Sequence, residues 1–93
     1  MSINFKQSII NRLKREIAQL ETQSLDEKKK KDTAEAKLKQ LHRDSKKSAL
    51  PSDLSNKLTR INKLNAELTE IAGRQADLAK QLVIKKAELK NRT

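Results

Sequence analysis

Apolar residues recur along this chain at alternating intervals of three and four. The resulting seven-residue repeat is broken once, at Ser48-Ala49-Leu50-Pro51-Ser52-Asp53. After the break it occupies positions 50, 54, 57, 61, 64, 68, 71, 75, 78, 82, 85 and 89. Nine of these twelve are apolar: Leu50, Leu54, Ile61, Leu64, Leu68, Ile71, Leu78, Leu82 and Leu89. A strand has period two and would scatter them over both faces, whereas a helix gathers them into one seam facing another helix. A weaker version precedes the break, through Ile3, Ile10, Leu13, Ile17, Leu20, Ala34, Leu38 and Leu41. The expected fold is therefore all-α, an antiparallel two-helix coiled-coil hairpin. It forms a single domain over residues 1–93, with helices at about 3–47 and 52–90 and a turn at about 48–51.

The turn carries several concordant signals. Pro51 has no amide hydrogen, suits a first helical turn, and pushes Leu50 toward an extended conformation. Ser52 and Asp53 offer oxygens and negative charge near the free amides of a helix start, and Lys46 and Lys47 place cations at the preceding helix end. Folding about this point pairs residues whose numbers add to about 98, to within a turn. Leu20 then faces Leu78, Ile17 faces Leu82, Leu13 faces Lys85, and polar Ser24 faces Gln75. Such a polar layer fixes register at some cost in stability. Glu27 and Lys31 also fall on the seam, near Gly73 of the other helix, so the middle of the rod should be its weakest part.

A rod of two long helices buries only a seam. With one Phe, no Tyr or Trp and 37% charged residues, the chain is poor in core-building side chains. Yet it has more apolar residues than one seam uses. Leu58, Ala72, Ala76, Ala79, Val83 and Ala87 form a second stripe beside the first, and Phe5, Ile9 and Leu25 lie off the seam of the first helix. A broad stripe is what a bundle needs, and small alanines let another helix approach closely. The expectation is a homo-oligomer, a four-helix bundle or larger. Its contacts would be made by Ile10, Leu13, Ile17, Leu20, Leu38, Leu41, Leu58, Ile61, Leu64, Leu68, Ile71, Leu78, Leu82, Val83 and Leu89.

Other chemistries find little support. The absence of cysteine excludes disulfides and thiolate metal sites and fits a cytoplasmic protein. No run approaches the roughly 20 apolar residues that span a bilayer. His42 is the sole histidine, beside Arg43 and Asp44 near the turn, and reads as a solvated surface residue. Glu67 and Glu70 share a face with Arg60, Lys63 and Arg74, as helix-surface ion pairs do. No catalytic, cofactor-binding or metal-binding residue is expected. The net charge of +10 is spread over both halves, and only Lys28-Lys29-Lys30-Lys31 forms a block. Nucleic-acid binders add aromatics, a recognition helix or zinc-finger spacing, none of which occurs here. A stand-alone basic adaptor for nucleic acid or an acidic protein surface is the alternative reading. Peripheral membrane contact through Lys6, Arg12, Lys14 and Arg15 is a weaker third.

The segment Lys47-Ser48-Ala49-Leu50-Pro51-Ser52-Asp53-Leu54, with Lys57-Leu58, Ile61 and Gln75-Ala76-Asp77-Leu78-Ala79-Lys80-Gln81-Leu82, resembles the N-terminal helical region of some bacterial Toll/interleukin-1 receptor (TIR) domain proteins. In those, a Ser-Pro-Ser-like turn separates two lysine-rich helices. Arg74 and Gln81 stand where that pattern has lysines. The resemblance covers about residues 45–90. It implies a coiled-coil module that precedes an NAD-cleaving domain in a defence-type effector, and it carries over no catalytic residue.

Overall fold

The computed structural model describes residues 3–47 and 50–93. Helix α1 spans Ile3–Lys47 and helix α2 spans Pro51–Arg92, two residues beyond the expected end. They lie antiparallel in a rod of 74 × 15 × 14 Å. Ser48 and Ala49 of the break, and the side chain of Ile3 in the repeat, fall outside what is described. Leu50 is extended, at φ −90° and ψ 124°, and Pro51 opens α2 as its fixed φ and missing donor favour. The Leu54 amide donates to the Leu50 carbonyl at 3.0 Å, which closes the first turn of α2. Asp53 grips Lys57 at 2.9 Å. Lys46 and Lys47 occupy the last turn of α1, where its carbonyl dipoles favour cations.

Several hydroxyl residues in the helix interiors are accommodated by bonding within their own helix. Thr22 donates to the Ala18 carbonyl, Ser45 to Leu41, Thr59 to Ser55 and Thr69 to Asn65, at 2.8–3.1 Å. The seam is as the repeat predicts over most of its length. Ile10, Leu13, Ile17, Leu20, Ala34, Ile61, Ile71 and Leu78 are buried. Leu38, Leu41, Leu64, Leu68, Leu82 and Leu89 are half-buried, because two helices cannot enclose a seam from all sides.

Three expectations change. Three cross-helix contacts, Glu16 to Lys85, Glu27 to Arg74 and Asp44 to Lys57, join residues whose numbers add to 101 rather than 98, while the longer Glu21 to Lys86 contact adds to 107. The shift is less than one turn. Lys31 is exposed and turns toward Glu35 at 4.0 Å, since a long ammonium stem leaves a seam easily. Leu50 and Leu54, nearest the turn, are exposed.

Gly73 sits mid-helix with ordinary helical backbone, and a methyl group built on it would meet nothing within 4 Å. No close approach requires a glycine there. Gly73→Ala should therefore raise stability by about 0.5–1 kcal/mol, through lower unfolded-state entropy and better helix propensity. Thermal melting followed by circular dichroism checks it, and a lowered midpoint would contradict the open surroundings of this position.

Candidate association site

The inner seam is bordered by charged contacts that sequence periodicity alone did not reveal. Glu27 is buried on the seam between the helices. Arg74 Nε of α2 lies 3.0 Å from Glu27 Oε2, and Lys30 Nζ lies 3.4 Å from Oε1. The Arg74 contact is close but bent. Oε2 is therefore ion-paired yet lacks an aligned hydrogen bond, the one such buried oxygen among the described residues. Further toward the open end, Lys85 Nζ reaches Glu16 Oε2 at 2.8 Å, and Arg12 Nε contacts the other oxygen at 3.1 Å. Lys57 Nζ donates to the Asp44 carbonyl at 3.3 Å. The expected Ser24–Gln75 layer takes a different form. Both residues are half-buried, but the Ser24 hydroxyl donates to the Leu20 carbonyl of its own helix at 2.9 Å. The polar layer of the rod is instead Glu27 with Arg74.

These contacts should make the hairpin acid-sensitive. The hydrogen bond from Lys85 lowers the Glu16 carboxyl below its ordinary value of 4.5; desolvation opposes the shift, and charge from Lys85 and Arg12 reinforces it. For Glu27, desolvation is the largest influence and acts upward, but Arg74 and Lys30 together outweigh it and the net shift is downward. A carboxylate with a depressed folded pKa contributes stability that is present above its unfolded pKa and lost as pH falls through the folded one. The thermal midpoint should therefore fall as pH drops below 4.5. Lys85→Gln should flatten that dependence by releasing Glu16. A midpoint that holds steady or rises from about pH 5 to about pH 3 would show that these pairs contribute nothing.

The outer surface of α2 carries a second repeat. Positions 58, 62, 65, 69, 72, 76, 79 and 83 again alternate by fours and threes, and hold Leu58, Asn62, Asn65, Thr69, Ala72, Ala76, Ala79 and Val83. None is charged, in a chain that is 37% charged, and all are exposed. Leu58 and Val83 are 57% and 69% exposed. Thus two members of the expected contact set lie outside the hairpin, while the others line its interior. Asn62, Asn65 and Thr69 escape a search for apolar residues alone; the signal that finds them is missing charge at seven-residue spacing.

Among the described residues, no three histidine or carboxylate side chains come together as metal ligands, and no helix is long and apolar enough to cross a membrane. His42 is exposed. Most depressions along the rod are shallow grooves between the helices, and one lies on α1 alone, at Ala18, Gln19, Thr22 and Gln23. No protein-family model matches the chain, and neither the curated proteins nor the solved structures contain a significant match to it.

Proposed function

We propose that this hairpin is a self-association module, whose outer stripe on α2 joins chains into a four-helix bundle. The observation that carries this reading is the second, uncharged seven-residue repeat, exposed from Leu58 to Val83. Exposed apolar residues scattered singly are ordinary, but a stripe in phase over eight positions is what helix-to-helix packing uses. The mechanism is one of proximity. Joining chains raises the effective concentration of whatever they carry and converts a weak encounter into a favoured one. On the resemblance of residues 45–90, the cargo would be an NAD-cleaving TIR domain of a bacterial cytoplasmic defence protein, with all catalysis in that domain. Sedimentation at micromolar concentration should give a mass at least twice 10.6 kDa. A monomer whose melting does not depend on concentration would overturn the proposal.

The alternative, a basic adaptor, draws on the net charge of +10. The geometry disperses the charge block that favours it. Four consecutive helical residues point in directions spread over about 300°, so Lys28 to Lys31 cannot face one ligand together. Two of them are also engaged within the chain, Lys30 with Glu27 and Lys31 with Glu35. A solvated basic rod accounts for the charge without a nucleic-acid site.

A further inference from the structure

We propose that the partner on this face is a second copy of the chain, laid face to face and antiparallel. A two-fold axis would cross α1 at Leu25 and α2 between Ala76 and Ala79. This rests on the self-association reading and adds its geometry, which four observations select.

The outer stripe of α2 is smallest toward its C-terminal end, over Ala72, Ala76 and Ala79. Turned end for end about the midpoint of Ala76 and Ala79, the stripe sets each of these alanines against the other in the copy, and Ala72 against Val83. Small residues there let the two backbones approach closely. Thr69, the nearest polar member, already spends its hydroxyl on the Asn65 carbonyl at 3.0 Å and can be covered without losing a partner.

On the same side of the rod, α1 carries Lys14, Glu21, Lys28 and Glu35, exposed and seven residues apart, with alternating sign. The row reverses its charge about its own midpoint. An antiparallel copy therefore brings Lys14 to Glu35 and Glu21 to Lys28, twice over. A parallel copy, related by a two-fold axis along the rod, would instead lay this charged row on the partner's α2, whose stripe carries no charge to meet it. The present partners of the two glutamates are loose and exposed: Lys86 at 3.7 Å from Glu21, and Lys31 at 4.0 Å from Glu35. Neither prevents exchange for a partner across the interface.

Leu25 is a large apolar residue in the middle of this charged row, and it is 59% exposed. Beside it a groove lined by Glu21, Ser24, Leu25, Lys28, Gln75 and Leu82 opens on the same face. Leu25 of the copy would fill this groove as a knob in a hole, with Glu21 and Lys28 at its rim placed to meet their opposites. The two midpoints also agree. The α1 row centres between residues 24 and 25, and the Ala76–Ala79 pair of α2 centres between 77 and 78. In the observed register, where facing numbers add to 101, these are level along the rod to within about one residue, or about 1.5 Å. One axis therefore serves both helices, as an isologous dimer requires.

Two variant sets test this. The chain has no cysteine, so Leu25→Cys introduces a single thiol on the proposed axis. Mild oxidation of the native protein should convert most of it to a disulfide-linked dimer. Gln19→Cys, about 120° round the same helix, should not cross-link. Glu21→Lys should weaken the dimer by about tenfold or more, because two attractive pairs become repulsive. The double variant Glu21→Lys with Lys28→Glu should restore it, as the charges exchange places across the axis. A dimer by sedimentation in which Gln19→Cys links and Leu25→Cys does not, or in which the double variant stays as weak as the single, would discard this geometry and leave self-association standing. A monomer at every concentration would discard both.

Discussion

Leu13→Ala and Ile71→Ala should each destabilise the hairpin by about 2–5 kcal/mol, the range for emptying a fully packed large-to-small site. Leu13 is 0% and Ile71 1% exposed, the most enclosed large side chains of the rod. Native chains hold only about 0.05–0.15 kcal/mol of stability per residue, so either change removes a large share of the margin. Circular dichroism should show midpoints lowered by tens of degrees, or no cooperative transition. Leu82→Ala should cost less, since Leu82 is only half-buried. Val83→Ala supplies the contrast. It is 69% exposed and should leave the hairpin's own stability within about 0.5 kcal/mol while weakening association. Equal losses at Leu13 and Val83 would mean that packing within the hairpin and packing between copies are not separable.

The buried seam was legible because its cause is simple. Ile10, Leu13, Ile17, Leu20, Ile61, Ile71 and Leu78 share one helical face by spacing alone, and a rod has no other place to put them. Register was less legible. Apolar spacing of three and four leaves neighbouring registers nearly equivalent, since each sets apolar layers against apolar layers. The charges separate them. A register of 98 puts Lys85 against Leu13, whereas the observed one carries its ammonium to Glu16 and lets Arg74 reach Glu27. The opposite charges nearest the seam, Glu16 with Lys85 and Glu27 with Arg74, share the sum 101 and are the signal that marks it. The same pairs explain why the middle of the rod is bridged rather than merely loose. Lys31 was misplaced for another reason: the repeat marks its backbone position, but a four-carbon stem lets its charge escape to water. For the outer stripe, alanines and valine were visible, whereas its polar members became visible only once all were seen exposed in one line.

Deleting Leu50 and Pro51 together should convert the hairpin into one continuous helix that pairs with a second chain. The seam of α1 runs through Leu38, Leu41 and Ser45, and that of α2 through Leu54, Lys57 and Ile61. As the chain stands, the two seams are out of phase by two residues. Removing two residues at the break places Leu54 seven positions after Ser45, so the repeat runs unbroken from Ile10 to Leu89. It also removes the proline that opens α2 and the extended residue before it, the two local reasons for the chain to turn here. Helix propagation across the join then adds backbone hydrogen bonds without the cost of a second nucleus. The seam, which a straight helix can no longer cover with its own other half, must be covered by another molecule, in an exchanged, swapped arrangement. The rod should lengthen from 74 Å to about 130 Å at 1.5 Å per residue. Its radius of gyration should rise from 21.0 Å to about 38 Å, as small-angle X-ray scattering would record. Pro51→Ala alone leaves the two seams out of phase and should leave the dimensions unchanged. If the two-residue deletion also keeps a radius near 21 Å, the break is held by packing along the seam rather than by the proline and the phase of the repeat.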